Sequence, residues 1–169
     1  MLVRRETSED YGVVYSLVKE AFSHAEHSDG KEQDLVAALH KSDAFVPECS
    51  LVAEIGGRVV GYILFTEVVI GDSAALALAP LAVLPSYQRQ GIGSVLIREG
   101  HRVAAEKGYP YAVVLGSERY YPRFGYLPAA RFGIRAPFDV PSENFMAVPL
   151  RENATAVQGT VQYAKEFGL

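Results

Sequence analysis

Leu81-Ala82-Val83-Leu84-Pro85-Ser86-Tyr87-Gln88-Arg89-Gln90-Gly91-Ile92-Gly93-Ser94-Val95-Leu96 is the stretch on which the reading of this chain turns. An apolar strand runs into a polar turn, and a helix opens around two glycines. At a helix start several amide donors lack intrahelical partners and the helix dipole adds positive potential, so the turn is suited to an anion. Gly91 and Gly93 let a phosphate approach the backbone with no Cβ in the way, and Arg89 adds a formal positive charge. A plain helix-entry turn uses the same glycines, and the pair alone does not separate the two. Other phosphate loops fail on the residues. A Walker loop needs a lysine and a hydroxyl residue after its last glycine, where this chain has Ser94-Val95. The dinucleotide fingerprint needs a third glycine, where it has Leu96.

Upstream, Leu2 to Arg5 is a short strand candidate, and Thr7 with Asp10 has the spacing of a helix N-cap. Val14, Leu17, Val18, Ala21 and Phe22 share one face at helical spacing. After the polar run from His24 to Lys31, residues Leu35, Val36 and Leu39 suggest a second, shorter helix. Leu51 to Ile55 and Val59 to Ile70 are branched-chain strands around a Gly56-Gly57 hairpin turn. Ala75 to Leu84 is a further strand, but Pro80 donates no ladder hydrogen bond, so an edge, a bulge or a splay is expected there. Ile92 to Lys107 is a helix stopped by Gly108, and Tyr111 to Leu115 is a buried strand that a right-handed crossover places parallel to the one before it. Beyond Tyr126 the periodicity weakens. Arg131 to Arg135 and Phe145 to Leu150 are strand candidates, and Thr160 to Phe167 fits either element. A mixed sheet with helices on both faces follows.

The 169 residues, 49% of them hydrophobic, suit a single domain spanning 1–169. A formal net charge of -4 argues against a basic nucleic-acid face. The amino-terminal residues turn polar at Glu6, without an apolar signal core, and the longest weakly polar stretch is broken by Pro80, short of the ~20 residues of a membrane span. A cytoplasmic protein without a membrane or nucleic-acid partner is expected. Cys49 is the only cysteine, and Pro47, Glu48 and Ser50 beside it supply neither base nor positive field, so it is expected to pack. His24 and His27 lack further ligands for a metal site, and none is assigned.

Gln88-Arg89-Gln90-Gly91-Ile92-Gly93, after an apolar strand and before an apolar helix, resembles the coenzyme A signature of the GCN5-related N-acetyltransferases (GNAT). That pattern is glutamine or arginine, two variable residues, glycine, one variable residue, then glycine or alanine. The order of elements from Leu2 to Leu115 is similar as well. The resemblance implies an α/β (α+β) fold with a mostly antiparallel central sheet and a splayed parallel pair of strands holding coenzyme A. It implies that the amides of Gln88, Arg89, Gln90, Gly91, Ile92, Gly93 and Ser94 wrap the pyrophosphate, and that Leu81, Ala82 and Val83 bond the pantetheine arm. The implied activity is transfer of an acetyl group from acetyl-CoA to the amine of a small molecule or peptide, by direct attack in a ternary complex. An acyl-CoA sensor of the same fold is the alternative, and a homodimer is compatible with the family.

Gly116-Ser117-Glu118-Arg119-Tyr120-Tyr121-Pro122-Arg123-Phe124-Gly125-Tyr126 carries a second resemblance, since family members have a tyrosine, three residues, glycine and an aromatic at this point. Tyr121, Gly125 and Tyr126 match, so the comparison assigns to Tyr121 protonation of the departing thiolate, with Tyr120 its neighbour if the register is shifted. Many members use a carboxylate on the fourth or fifth strand as base. Ala75 to Leu84 holds no acid, which leaves Glu67, Asp72 and Glu118 as candidates. Glu26, Asp29, Glu32 and Asp34 fall where the family borders its acceptor pocket, and they suit a cationic amine.

Overall fold

The structure, a computed structural model, describes all residues from 1 to 169. Its strands and helices run in the order β1 Leu2–Arg5, α1 Tyr11–Phe22, α2 Glu32–Leu39, β2 Phe45–Ile55, β3 Arg58–Ile70, β4 Ser73–Val83, α3 Ile92–Glu106, β5 Tyr111–Leu115, β6 Leu127–Pro128, β7 Ile134–Arg135, β8 Phe145–Pro149 and β9 Gly159–Gln162. The sheet order is β1-β2-β3-β4-β5-β8-β6, with β9 joining the far end of β3 and pairing with β7. Neighbours are antiparallel except the β4–β5 and β7–β9 pairs. No helix is long and apolar enough to cross a membrane.

Alternation along β3 sends successive side chains to opposite faces. On one face α3 presses so close that a Cβ on Gly61 would stand 2.9 Å from Ile92 and 3.1 Å from Leu96, and one on Gly100 would overlap the Phe65 ring. On the other, the Tyr62 hydroxyl meets Ser50 at 2.8 Å, and Ser50 donates to the buried Glu6 carboxylate. His40, just past α2, reaches the same carboxylate at 2.8 Å, and Tyr11 at the start of α1 stacks on the His40 ring. The two helical layers are thus pinned through β2 and β3 to opposite faces of one sheet.

Pro80 does what its missing donor dictates. Ile63 pairs with Leu81 and Phe65 with Leu78, so Ala79 and Pro80 both stand opposite Leu64, a bulge. The parallel pairing of β4 with β5 covers only Leu76 with Ala112 and Ala77 with Val113, and beyond it the strands part.

The carboxyl-terminal third differs more from expectation. Ala129–Phe132 winds as a 3₁₀ turn closed by Gly133 at a left-handed φ of 74°, so only Ile134–Arg135 of the expected strand pairs. The ambiguous segment after Thr160 splits into β9 and a 3₁₀ turn at Lys165–Phe167. β2 starts at Phe45, earlier than its branched residues suggest, because a register shift between Phe45 and Ser50 accommodates Pro47. Cys49 is fully buried and burial pushes its thiol up to about 11, in keeping with a packing role.

Asp10 turns back to accept from the Thr7 amide at 2.8 Å, and Arg4 grips it at 2.8 Å while also reaching Glu54 on β2. The Arg4 guanidinium holds the Asp10 carboxyl down from its ordinary 3.8 to about 2. A depressed folded-state pKa means that the unfolded chain takes the proton first. The stabilisation is therefore complete above the unfolded value and disappears as pH falls toward 2. Asp10→Asn should lower the denaturation midpoint at neutral pH and flatten its fall between about pH 5 and pH 2. Urea titrations across that range would show it, and a parallel fall in both proteins would contradict it.

Candidate active site

Between Tyr87 and α3 the chain takes two left-handed residues, Arg89 at φ 62° and Gly91 at φ 83°. For arginine this costs on the order of 1 kcal/mol or more. None of the six amides from Arg89 to Ser94 donates to another group of the chain, and the first that does is Val95, to the Gly91 carbonyl at 3.1 Å. Arg89, Gly91, Ile92, Gly93 and Ser94, with the positive end of α3, line a cleft of about 550 Å³. Leu81, Val83, Tyr87, Gln88 and Arg89 line it from one side, and Tyr120 and Arg123 from the other. A Cβ on Gly93 would stand 2.7 Å from the Tyr120 hydroxyl, so any side chain there would fill the cradle.

The edge of β4 is polarised by its register. Leu84 donates to the Val60 carbonyl at 2.9 Å, so by alternation Ala82 also turns its amide and carbonyl toward β3. Leu81 and Val83 turn theirs toward the gap left by β5, and the Val83 carbonyl accepts from the Gln88 side chain at 3.0 Å. Ala82, expected from the sequence to bond the pantetheine arm, is occupied within the ladder and buried; Leu81 turns its amide and carbonyl, and Val83 its amide, to the gap. Gln90 sits on the loop with its side chain folded back toward the Ser86 carbonyl.

The two tyrosine rings meet edge to face, 5.1 Å between centres, but rest on different neighbours. Tyr120 lies over Gly93 with the Arg123 guanidinium 5.4 Å from its ring centre. Tyr121 packs on Gly116, the residue after β5, where a Cβ would overlap its ring, and stands edge-on to Tyr126 at 5.7 Å. Tyr126 is fully buried, bonded to His101 on α3 at 2.9 Å. Burial holds the Tyr121 phenol well above its usual range, with Tyr120 adding to the shift.

A second cavity of about 770 Å³ opens on the other side of the parted strands, reaching Leu78, Ala79 and Leu115. Asp29, Glu32, Asp34 and Leu35 line it from the α1–α2 connection and α2, and Phe138, Tyr163, Glu166 and Phe167 from the carboxyl-terminal segment. Glu26 is not among its lining residues. The carboxyl-terminal wall went unread in the sequence, because its residues lie in short, aperiodic turns. Arg123 was likewise missed, although it stands inside the tyrosine motif.

Of the three carboxylates considered as base, Glu67 is held by the Tyr109 hydroxyl at 2.6 Å, past the carboxyl end of α3 and away from the glycine turn. Asp72 lies in the β3–β4 turn, at the far end of β4 from the splay. Glu118 follows β5 at the splayed end, but its own backbone amide and then Asn144 hold it below the usual carboxylate range, which weakens it as a base.

A strand parted beside a glycine turn of free amides is also where comparison with known proteins leads. Residues 12–126 match the Acetyltransferase (GNAT) family. The chain belongs to that family. Among its GNAT relatives, the Escherichia coli N-acetyltransferase YjhQ is 43% identical over 119 residues, 68% of this chain and 66% of YjhQ, just under two thirds of that protein's length. The E. coli N-acetyltransferase YhbS is 32% identical over 170 residues, 99% of this chain and 98% of its own. The crystal structure of YhbS in complex with CoA superposes with a TM-score of 0.90 at 30% identity, covering 99% of this chain and 92% of that one. A GNAT acetyltransferase from Brucella melitensis in complex with acetyl-CoA gives 0.81 at 32% identity, covering 98% and 97%. The GNAT fold thus comes with acetyl-CoA as its cosubstrate.

Arg89→Gly keeps the left-handed turn while removing the charge, so it should leave thermal stability unchanged and weaken CoA binding in a salt-sensitive way. Gly93→Glu should abolish binding by filling the cradle with a like charge. Calorimetry with CoA reads both, and unchanged affinity in Gly93→Glu would refute the assignment of the anion to this turn.

Proposed function

We propose that this GNAT protein transfers the acetyl group of acetyl-CoA to an amine of a small molecule or peptide by direct attack in a ternary complex. The observation that carries this reading is that the cleft at the glycine turn and the second cavity abut successive segments of β4, Leu81 to Val83 and Leu78 to Ala79, on either side of the bulge. In this reading the amides of 89–94 hold the pyrophosphate, Leu81 and Val83 pair with the pantetheine arm, and the thioester comes to rest between Ala79 and Leu115.

The chemistry asks for a neutral amine. Its lone pair attacks the thioester carbonyl carbon, a carbon–nitrogen bond forms, the carbon–sulfur bond breaks, and the thiolate must gain a proton while the nitrogen loses one. β4 carries no carboxylate to take the nitrogen's proton, so water is the acceptor. The proton for the thiolate is assigned to Tyr121. Its position beside Gly116, at the end of β5, supports this role, as does a phenol that burial keeps protonated at neutral pH. Tyr120, over Gly93, belongs to the pyrophosphate end of the cleft.

Tyr121→Phe keeps the ring and removes the proton, and should lower turnover about 100-fold with CoA affinity preserved. Tyr120→Phe should act on CoA affinity and spare turnover. Release of free thiol from acetyl-CoA with an amine panel measures both. Normal turnover in Tyr121→Phe would remove the acid role, and loss confined to Tyr120→Phe would transfer it.

A further inference from the structure

The second cavity has two chemically distinct ends. Where it reaches the parted strands it is lined by Leu78, Ala79 and Leu115, without a charged side chain from β4 or β5. Two half-buried carboxylates join the lining from other elements, Glu32 on α2 and Glu166 on the carboxyl-terminal 3₁₀ turn. Each is oriented by a serine: Ser28 donates to Glu32 Oε1 at 2.7 Å and Ser42 to Glu166 Oε1 at 2.8 Å. Neither takes part in any of the protein's ion pairs, and apart from its serine no other side chain bonds either carboxylate. Asp29 and Asp34 add to the negative field, against which Lys31 is the one lysine or arginine in the lining. Phe138, Tyr163 and Phe167 give the lining a row of rings with centres 6.1 and 5.1 Å apart.

A single amine cannot satisfy both ends. Carboxylates beside the reacting nitrogen would hold it protonated and remove the lone pair that the reaction needs, whereas apolar surroundings favour its neutral form. We infer that the acceptor carries two basic nitrogens on an apolar spacer: one, neutral, is acetylated at the Leu78–Leu115 end, and the other, cationic, is held between Glu32 and Glu166. The aromatic row accommodates the spacer and faces the cation with its rings. This rests on the acetyltransferase reading for the fate of the first nitrogen, and on the cavity alone for the recognition of the second.

The test uses α,ω-diaminoalkanes of graded length against n-alkanols of the same length, with the protein saturated with CoA. Calorimetry reads recognition independently of chemistry. A diamine should bind at least about tenfold more tightly than the alkanol of the same length, the factor that ~1.4 kcal/mol of charge pairing gives. The preference should collapse in Glu32→Gln with Glu166→Gln and shrink with added salt, while CoA affinity is unchanged. Equal affinity of the two series, or a preference that survives in the double variant, overturns the inference. Thiol release from acetyl-CoA is measured in parallel. A diamine that binds selectively and is never acetylated would sink the transferase reading while leaving the recognition site standing.

Discussion

Everything at the site follows from one strand losing its neighbour. Backbone amides and carbonyls demand partners, and β4 supplies them to β3 along its whole length but to β5 only at Leu76 and Ala77. The bulge at Ala79-Pro80 sits where that second ladder ends. From there the groups on Leu81 and Val83 face a gap that another extended, hydrogen-bonding chain would fill. In the proposed reading the pantetheine arm of CoA, which carries two amides, fills that gap, and the free amides of Arg89 to Ser94 receive its anionic head.

The charges of the molecule are sorted along the same line. Arg89 and Arg123 line the cleft at the glycine turn, with Arg58 5.8 Å from the centre of the Tyr87 ring and Arg98 5.2 Å from that of Phe124. The far cavity is acidic. A net charge of -4 conceals this division. In the proposed reading an anionic cosubstrate and a cationic acceptor are each drawn to their own side and meet across the bulge, where the surroundings are apolar.

How far this could be read from the sequence depends on how local each determinant is. Two glycines before an apolar helix, a proline inside a branched-chain strand and a tyrosine four residues before a glycine act within a few residues, and the cleft, the splay and the placement of Tyr121 after β5 follow them. Ala82 misled because a three-residue run does not show which of its amides the ladder uses; only the register with Val60 decides that. Glu32 lay in plain view among other acids, but Glu166 is more than a hundred residues away, in a turn without periodicity. No spacing rule brings the two to one cavity. The short strands after Tyr126 were blurred for the same reason: they are held by tertiary pairing with β3 and β8 rather than by their own propensity.

The central claim, that the unpaired amides of Leu81, Val83 and Arg89 to Ser94 receive the cosubstrate, is tested most directly by following backbone amide resonances while CoA is added. The amides of Leu81, Val83 and Arg89 to Ser94 should move most and become protected from exchange with solvent, and Ala82 should keep the protection that β3 already gives it. Large shifts confined to the acidic cavity, with residues 89–94 unmoved, would contradict the account.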